Sequence, residues 1–167
     1  QRQMCIRDSY TWADIYSMAK DLGFDGIEVR GLGNDIFDAS KNMPFSPRLL
    51  PATKQKLRAL RLTIPCLSSG CCLRDGATVE TVAEVRAYIE AAESIGTPYV
   101  RVLGDLNPAP DGDVDDEAVL AALRALLPYA EEKGVTLLVE TNGVYSDTAR
   151  LRALLDRAPS DNVGALW

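Results

Sequence analysis

From Tyr10 onward the chain alternates between two hydrophobic periods. Stretches with apolar residues three or four positions apart predict amphipathic helices, and each is followed by a short apolar run that predicts a strand. The predicted helices begin near Thr11, Ser46, Thr78, Asp116 and Ser146, and the predicted strands cover 26–30, 63–69, 99–103, 136–140 and 163–167. The distance from one strand to the next is typical of a βα unit of roughly thirty residues.

Helix start and stop signals support this segmentation. Thr11, followed three residues later by Asp14, predicts a capping box at the start of the first helix. Gly23 and Gly134 follow the first and fourth helical stretches, where a residue in the left-handed conformation commonly ends a helix. Asp147 or Ser146 is the expected N-cap of the last helix.

Five βα units in series predict an α/β fold with a parallel sheet, which is either an open doubly wound sheet or a TIM barrel. Charged residues on the strands favour the barrel. Alternation places Glu28 and Arg30 on one face, and Arg101 and Glu140 come late in otherwise apolar runs. Both faces of a doubly wound sheet lie under helices, where such charges are costly, whereas the inner face of a barrel opens into the active site.

The length agrees with a partial (β/α)8 TIM barrel. A complete barrel has about 250 residues, so five of its eight units need roughly 156, close to the length of residues 10–167. We therefore expect one partial barrel domain over 10–167, truncated at both ends, which lacks the first strand and everything after the sixth. The long segment 31–45 is expected to be a βα loop at the functional face.

The first nine residues show neither apolar periodicity nor the pattern of a signal peptide. Residues 4–8, MCIRD, can be back-translated as ATG TGT ATA AGA GAC, which resembles an adapter used in transposase-based sequencing libraries. We interpret residues 1–9 as a non-native scar, the alternative being a disordered natural terminus.

Composition limits the class of protein. The 167 residues are 47% hydrophobic and 25% charged, with a net charge of −6 and no histidine. This is the mix of a folded globular protein, and no apolar run is long enough for a transmembrane segment. The odd number of cysteines outside residues 1–9, in a chain with no export signal, favours a cytoplasmic location. The acidic balance argues against nucleic acid and membrane partners. The lack of histidine excludes Ser/His/Asp triads and histidine metal ligands within this chain.

The cysteines predict reduced thiols. Without the scar, Cys66, Cys71 and Cys72 remain, an odd number in a chain with no export signal. Their spacing does not match a structural zinc site, so packing is favoured over metal binding or redox chemistry.

Four segments together suggest a family. They are DLGFDGIEVR at 21–30, IPCLSS at 64–69, VETNGVYSDT at 139–148 and NVGALW at 162–167. In this order they resemble the sugar phosphate isomerase/epimerase family, the xylose isomerase-like TIM barrels. The resemblance covers nearly all of residues 10–167, and the Glu-Thr-Asn-Gly stretch is its most specific part.

The resemblance implies a role for Glu140. In that family the fifth barrel strand ends in a glutamate that binds a divalent metal, and Glu140 matches it in position and context. The other family ligands, an aspartate, a histidine and a glutamate on later strands, are absent from this chain. The implied cofactor is a divalent ion such as Mg²⁺, Mn²⁺ or Co²⁺, with Zn²⁺ as an alternative. The implied chemistry is proton transfer through an enediolate, with Glu140 as catalytic residue and metal ligand.

Each candidate residue also has a structural interpretation. Glu140 could pair with Arg101 or Arg30 rather than bind a metal. Glu28, Arg30 and Arg101 either contact substrate oxygens or neutralise one another. Asn142 follows the strand and could reach substrate, yet Asn-Gly is also a common turn pair.

The functional hypothesis is a metal-dependent isomerase or epimerase acting on a small sugar or polyol, of which this chain is an inactive fragment. A dehydratase on the same fold and a non-catalytic α/β binding domain are the alternatives. Because the outer strands of a fragment lack neighbours, we expect it to associate with copies of itself or to aggregate.

Overall fold

The computed structural model describes residues 10–30, 43–110 and 112–167, and its elements follow the predicted alternation. The helices are α1 (Trp12–Asp21), α2 (Leu50–Leu60), α3 (Val79–Ile95), α4 (Asp116–Glu132) and α5 (Thr148–Leu155). The strands are β1 (Val29–Arg30), β2 (Cys66–Cys72), β3 (Tyr99–Leu103), β4 (Thr136–Glu140) and β5 (Val163–Leu166). Short 3-10 helices cover Met43–Phe45 and Gly143–Ser146. The interpretations of 1–9 and of most of the loop 31–45 lie outside the described residues.

The local signals act as the sequence predicts. The Thr11 hydroxyl accepts a hydrogen bond from the Asp14 backbone at 3.2 Å, and the Asp14 carboxylate accepts one from the Thr11 backbone at 2.8 Å, which confirms the capping box. Gly23 follows α1 with φ +74°. Asp147 caps α5, accepting from two backbone N–H groups of its first turn.

Three element boundaries differ clearly from the prediction. The first strand, predicted over 26–30, is limited to Val29–Arg30, and Gly26 forms only an isolated parallel bridge with Thr63. The second helix begins at Leu50 rather than near Ser46, because 46–49 form a turn and Pro51 occupies the first helical turn, where its missing N–H is not needed. The strand predicted over 63–69 lies at 66–72. Its register shifts between Ser68 and Cys72, and this irregularity lets pairing with β3 continue to Leu103.

The strand order identifies the architecture. All five strands are parallel, and their order in the sheet is β1-β2-β3-β4-β5, so each pairs with its neighbours in sequence. A doubly wound sheet reverses its strand order at a switch point. The consecutive order is that of a barrel wall, and the predicted partial TIM barrel is confirmed.

Register separates the two faces of the sheet. One row of partners runs through Val29, Leu67, Val100, Leu137 and Val163. The first four are at most 3% exposed and belong to one core cluster with the helices. Helix residues in this cluster include Val85, Ile89, Leu120, Leu123 and Leu151. The other face is therefore the inner face of the barrel. Among the described residues, no helix has the length and apolar character to cross a membrane.

The segments after β3 and β4 are joined by a buried carboxylate. Asp105 is 0% exposed and accepts backbone hydrogen bonds from Asn107 at 3.0 Å and Val144 at 3.1 Å. Gly143, with φ +58°, lies so close that an added Cβ would collide with the Asp105 carboxylate and the Asn107 carbonyl. This packing fixes the backbone directly after β4.

A second polar cluster ties α4 to α5. Arg150 donates to Asp116 at 2.9 Å and to the Val114 carbonyl at 2.7 Å, and the Tyr145 hydroxyl donates to Asp116 at 2.8 Å. Burial, followed by the bond to the Asp116 carboxylate, raises the pKa of Tyr145, so it stays a neutral donor. The cluster holds the 3-10 helix Gly143–Ser146 and the first turn of α5 against the start of α4.

The contact at Gly143 predicts an unequal effect of two alanine substitutions. Gly134→Ala places alanine at φ +64° with nothing within 4 Å of its Cβ, so it should cost only the left-handed conformation, about 1–2 kcal/mol. Gly143→Ala has a similar φ but adds the collision, so we expect a further loss of about 1–3 kcal/mol. Urea unfolding measures both; equal losses would contradict the packing described around Asp105.

The outer strands predict self-association. In the described part of the chain β5 pairs with β4 alone and β1 with β2 alone, and Trp167 beside β5 is 93% exposed. Ala165→Lys puts a charge on the exposed edge of β5 and should shift the chain toward monomer in light scattering. Ala52→Lys, the same change on the exposed surface of α2, is the control. A wild-type chain that stays monomeric as concentration rises would refute this prediction.

Candidate functional site

The inner face carries the predicted charged residues in one register. Arg30, Ser68, Arg101, Leu138 and Gly164 are paired in a single row across all five strands. Glu140 lies two residues beyond Leu138 on the same face, at the carboxyl end of β4. The structure thus brings the candidates to the end of the sheet where TIM-barrel active sites lie.

Arg101 and Glu140 form an ion pair across β3 and β4. Arg101 Nε lies 3.1 Å from Glu140 Oε2. The arginine side chain is 4% exposed and that of the glutamate 37%. A partly exposed carboxylate therefore pairs with a buried guanidinium, as expected if Glu140 forms an ion pair with Arg101.

Glu28 takes a different partner. Its carboxylate accepts a hydrogen bond from the Ser68 hydroxyl on β2. Glu28 and Arg30 are exposed, whereas Ser68 is 2% exposed. Two carboxylates thus lie on the inner face, one held by a hydroxyl and the other by a guanidinium.

Asn142 makes a loop contact. Its Nδ2 donates to the Asp105 backbone carbonyl at 2.9 Å. The side chain therefore helps to join the segments after β3 and β4, which agrees with its turn interpretation, while its position just beyond Glu140 keeps it beside the site.

The cysteines behave as buried thiols. Burial and then the nearby Glu28 carboxylate raise the pKa of Cys66 to about 11, and burial raises that of Cys71 to about 12. At neutral pH both are protonated and weakly nucleophilic, which supports the packing interpretation. All three described cysteines are free.

Sequence reasoning missed Ser68 and Asp105. Ser68 lies inside a quoted family segment, but a serine in an apolar strand carries no signal until its register with Arg30 and Arg101 is known. Asp105 follows β3 after Gly104. Polar residues at the carboxyl ends of barrel strands commonly belong to the active site, so its position was a usable signal. The Asp105 carboxylate also lies 4.0 Å from Nη1 of Arg74.

The described residues do not by themselves form a metal site. The charged neighbour of Glu140 is a cation, Arg101. No cluster of three or more histidine, cysteine, aspartate or glutamate side chains able to hold an ion occurs in the described ranges. The inner face offers the carboxylates of Glu28 and Glu140, each with its own partner, whereas a divalent cation requires several oxygen ligands.

A cleft of about 510 Å³ lies elsewhere. Its lining combines the end of α2 with the residues that precede β2 and β3: Lys54, Leu57, Arg58, 62–65 and 95–98. It opens at the amino ends of the strands, whereas Glu140 lies at a carboxyl end, so we do not assign it to the candidate site.

Three solved structures illustrate the similarity of fold. The IOLI protein with a binding zinc atom matches with a TM-score of 0.66 and 13% identity over 93% of this chain and 57% of its own. The probable 3-DHS dehydratase AsbF from Bacillus anthracis gives 0.67 and 18% over 95% and 58%. D-allulose 3-epimerase from Methylomonas sp., in complex with D-allulose, gives 0.64 and 17% over 90% and 54%.

The chain spans little more than half the length of these structures. At these identities the likeness shows the fold, which three differently named proteins share. No curated protein matches the chain significantly. The family model described as xylose isomerase-like TIM barrel matches residues 16–167, and the chain belongs to that family.

Proposed function

We propose that this chain is part of a metal-dependent isomerase or epimerase that acts on a small sugar or polyol. The observation that carries the proposal is the position of Glu140, a partly exposed carboxylate at the carboxyl end of β4 on the inner face. Membership of the xylose isomerase-like barrels supports it, as does similarity to an epimerase that binds D-allulose.

The inner face suits a polyhydroxylated ligand. Sugar hydroxyls both donate and accept hydrogen bonds, and the face offers both kinds of partner: the Glu28 carboxylate with the Ser68 hydroxyl, and the charges of Arg30, Arg101 and Glu140. Asn142 lies at its rim through the bond to Asp105. In the proposed reaction a carboxylate moves a proton between neighbouring carbons, and the guanidinium groups favour negative charge that develops on the substrate oxygen.

Glu140 is the proposed catalytic residue and one ligand of the metal. The proposed ion is Mg²⁺, Mn²⁺ or Co²⁺, with Zn²⁺, the metal of the similar IOLI structure, as the alternative. Further ligands must come from outside the described residues, because these contain no cluster of three or more side chains able to hold an ion.

A dehydratase is the second candidate. Similarity to AsbF supports it, with a TM-score of 0.67. Elimination of water from a hydroxylated ketone or aldehyde also begins with removal of a proton next to the carbonyl, after which the neighbouring hydroxyl leaves as water, so the same carboxylates serve both reactions.

The test uses the full-length protein with small ketoses and aldoses in D2O. We expect deuterium to enter the substrate at the carbon beside the carbonyl, as measured by NMR, and epimer or isomer to form. Glu140→Gln should lower this rate about 10²- to 10⁴-fold, because the neutral amide cannot accept the proton. Glu80→Gln, an exposed change on α3, is the matched control and should leave the rate unchanged.

The outcomes separate the candidates. Loss of water with appearance of an unsaturated carbonyl, seen by ultraviolet absorbance, would replace the isomerase by the dehydratase. Saturable sugar binding without exchange or elimination would favour a non-catalytic binding domain. An unchanged rate for Glu140→Gln would remove Glu140 from the mechanism.

A further inference from the structure

Arg101 is a permanent charge that the fold has taken out of water. Its side chain is 4% exposed, on the central strand of the five-stranded sheet. A guanidinium is protonated at all ordinary pH values, so it cannot relieve burial by losing its proton. Burying such a group is strongly unfavourable unless an opposite charge accompanies it.

Glu140 supplies that charge from the neighbouring strand. The distance between Arg101 Nε and Glu140 Oε2 is 3.1 Å. Glu28, the other carboxylate of the inner face, accepts a hydrogen bond from Ser68 and is exposed. The two inner-face carboxylates therefore have different partners: Glu140 pairs with a buried charge, and Glu28 with a neutral hydroxyl.

The pair is asymmetric. Glu140 retains 37% of its side-chain exposure, whereas Arg101 retains 4%. If Arg101 is removed, water can hydrate the carboxylate. If Glu140 is removed, the guanidinium remains buried without its partner.

We propose that Glu140 is the counter-ion that permits Arg101 to lie buried, and that Arg101 in return is a positioning residue for the Glu140 carboxylate. This goes beyond the proposed function, since it requires neither metal nor substrate. It means that the carboxylate at the site is held in place before any ligand arrives, and that a cation which binds Glu140 must share it with Arg101.

The test is a double-mutant cycle on this chain, in EDTA and without substrate, followed by urea unfolding. Glu140→Ala should raise the unfolding constant about 100-fold or more, as expected for an isolated buried charge. Arg101→Met, which keeps an unbranched apolar stem, should cost much less. In the Arg101→Met background, Glu140→Ala should have little further effect, because the charge it leaves unpaired is gone.

The exposed pair Arg152 and Asp156 is the matched control. Its nitrogen and oxygen are closer, at 2.7 Å, but the two side chains are 76% and 58% exposed. Asp156→Ala should therefore raise the unfolding constant about fivefold or less. The comparison separates the effect of burial from that of distance.

Positioning has its own readout. With glutamate labelled at its carboxyl carbon, the Glu140 ¹³C resonance should shift in Arg101→Met and return toward the wild-type position in Arg101→Lys, which restores the positive charge. If Glu140→Ala does not fold, Glu140→Gln with and without Arg101→Met completes the cycle.

Additive losses in the cycle, or a Glu140→Ala effect no larger than that of Asp156→Ala, would overturn the counter-ion role. An unmoved Glu140 resonance in Arg101→Met would overturn the positioning role. Neither result depends on turnover, so a full-length protein without isomerase activity would refute the proposed function and leave this inference standing.

Discussion

The parallel register of the five strands is the constraint on which the rest of the structure depends. Because side chains alternate along a strand, one register sends Val29, Leu67, Val100 and Leu137 toward the helices. The residue that follows each of them along its strand then faces the inner side: Arg30, Ser68, Arg101 and Leu138. A slip of one residue in β1, β3 or β4 would bury a charge beneath a helix. The apolar core and the polar site are therefore two consequences of one alignment.

This explains why charges on strands were informative in the sequence. Charged residues interrupt runs that are otherwise apolar: Glu28, Arg30, Arg101 and Glu140. The two-residue period of a strand already places Glu28 and Arg30 on one face. What periodicity could not supply was the stagger between strands, which decides that Arg101 reaches Glu140 while Glu28 meets Ser68. Pair contacts across a sheet depend on register, and register is a property of the assembled fold.

Strand boundaries and loop contacts could be predicted from the sequence only in part. The boundaries of β3 and β4 could be predicted to the residue because turn-forming residues flank both runs, Pro98 and Gly104 around β3 and Gly134 and Asn142 around β4. The strand β2, in contrast, continues to Cys72 through an irregularity that leaves no hydrophobic signature. Asn142 illustrates the same limit. Its residue type suits both a turn and a substrate contact, and only the approach of Asp105 shows which bond its amide makes.

Two carboxylates at the carboxyl end of the sheet, Asp105 and Glu140, have different structural roles. Asp105 is fully buried and accepts backbone hydrogen bonds, so it fixes the chain that leaves β4. Glu140, two residues beyond Leu138 at the carboxyl end of β4, faces a guanidinium and keeps part of its surface in solvent. Rigid backbone beneath and an opposite charge beside it leave the Glu140 carboxylate few orientations, and a group with few orientations loses little entropy when it engages a ligand. The fold thus prepares the carboxylate through residues that need not touch a substrate themselves.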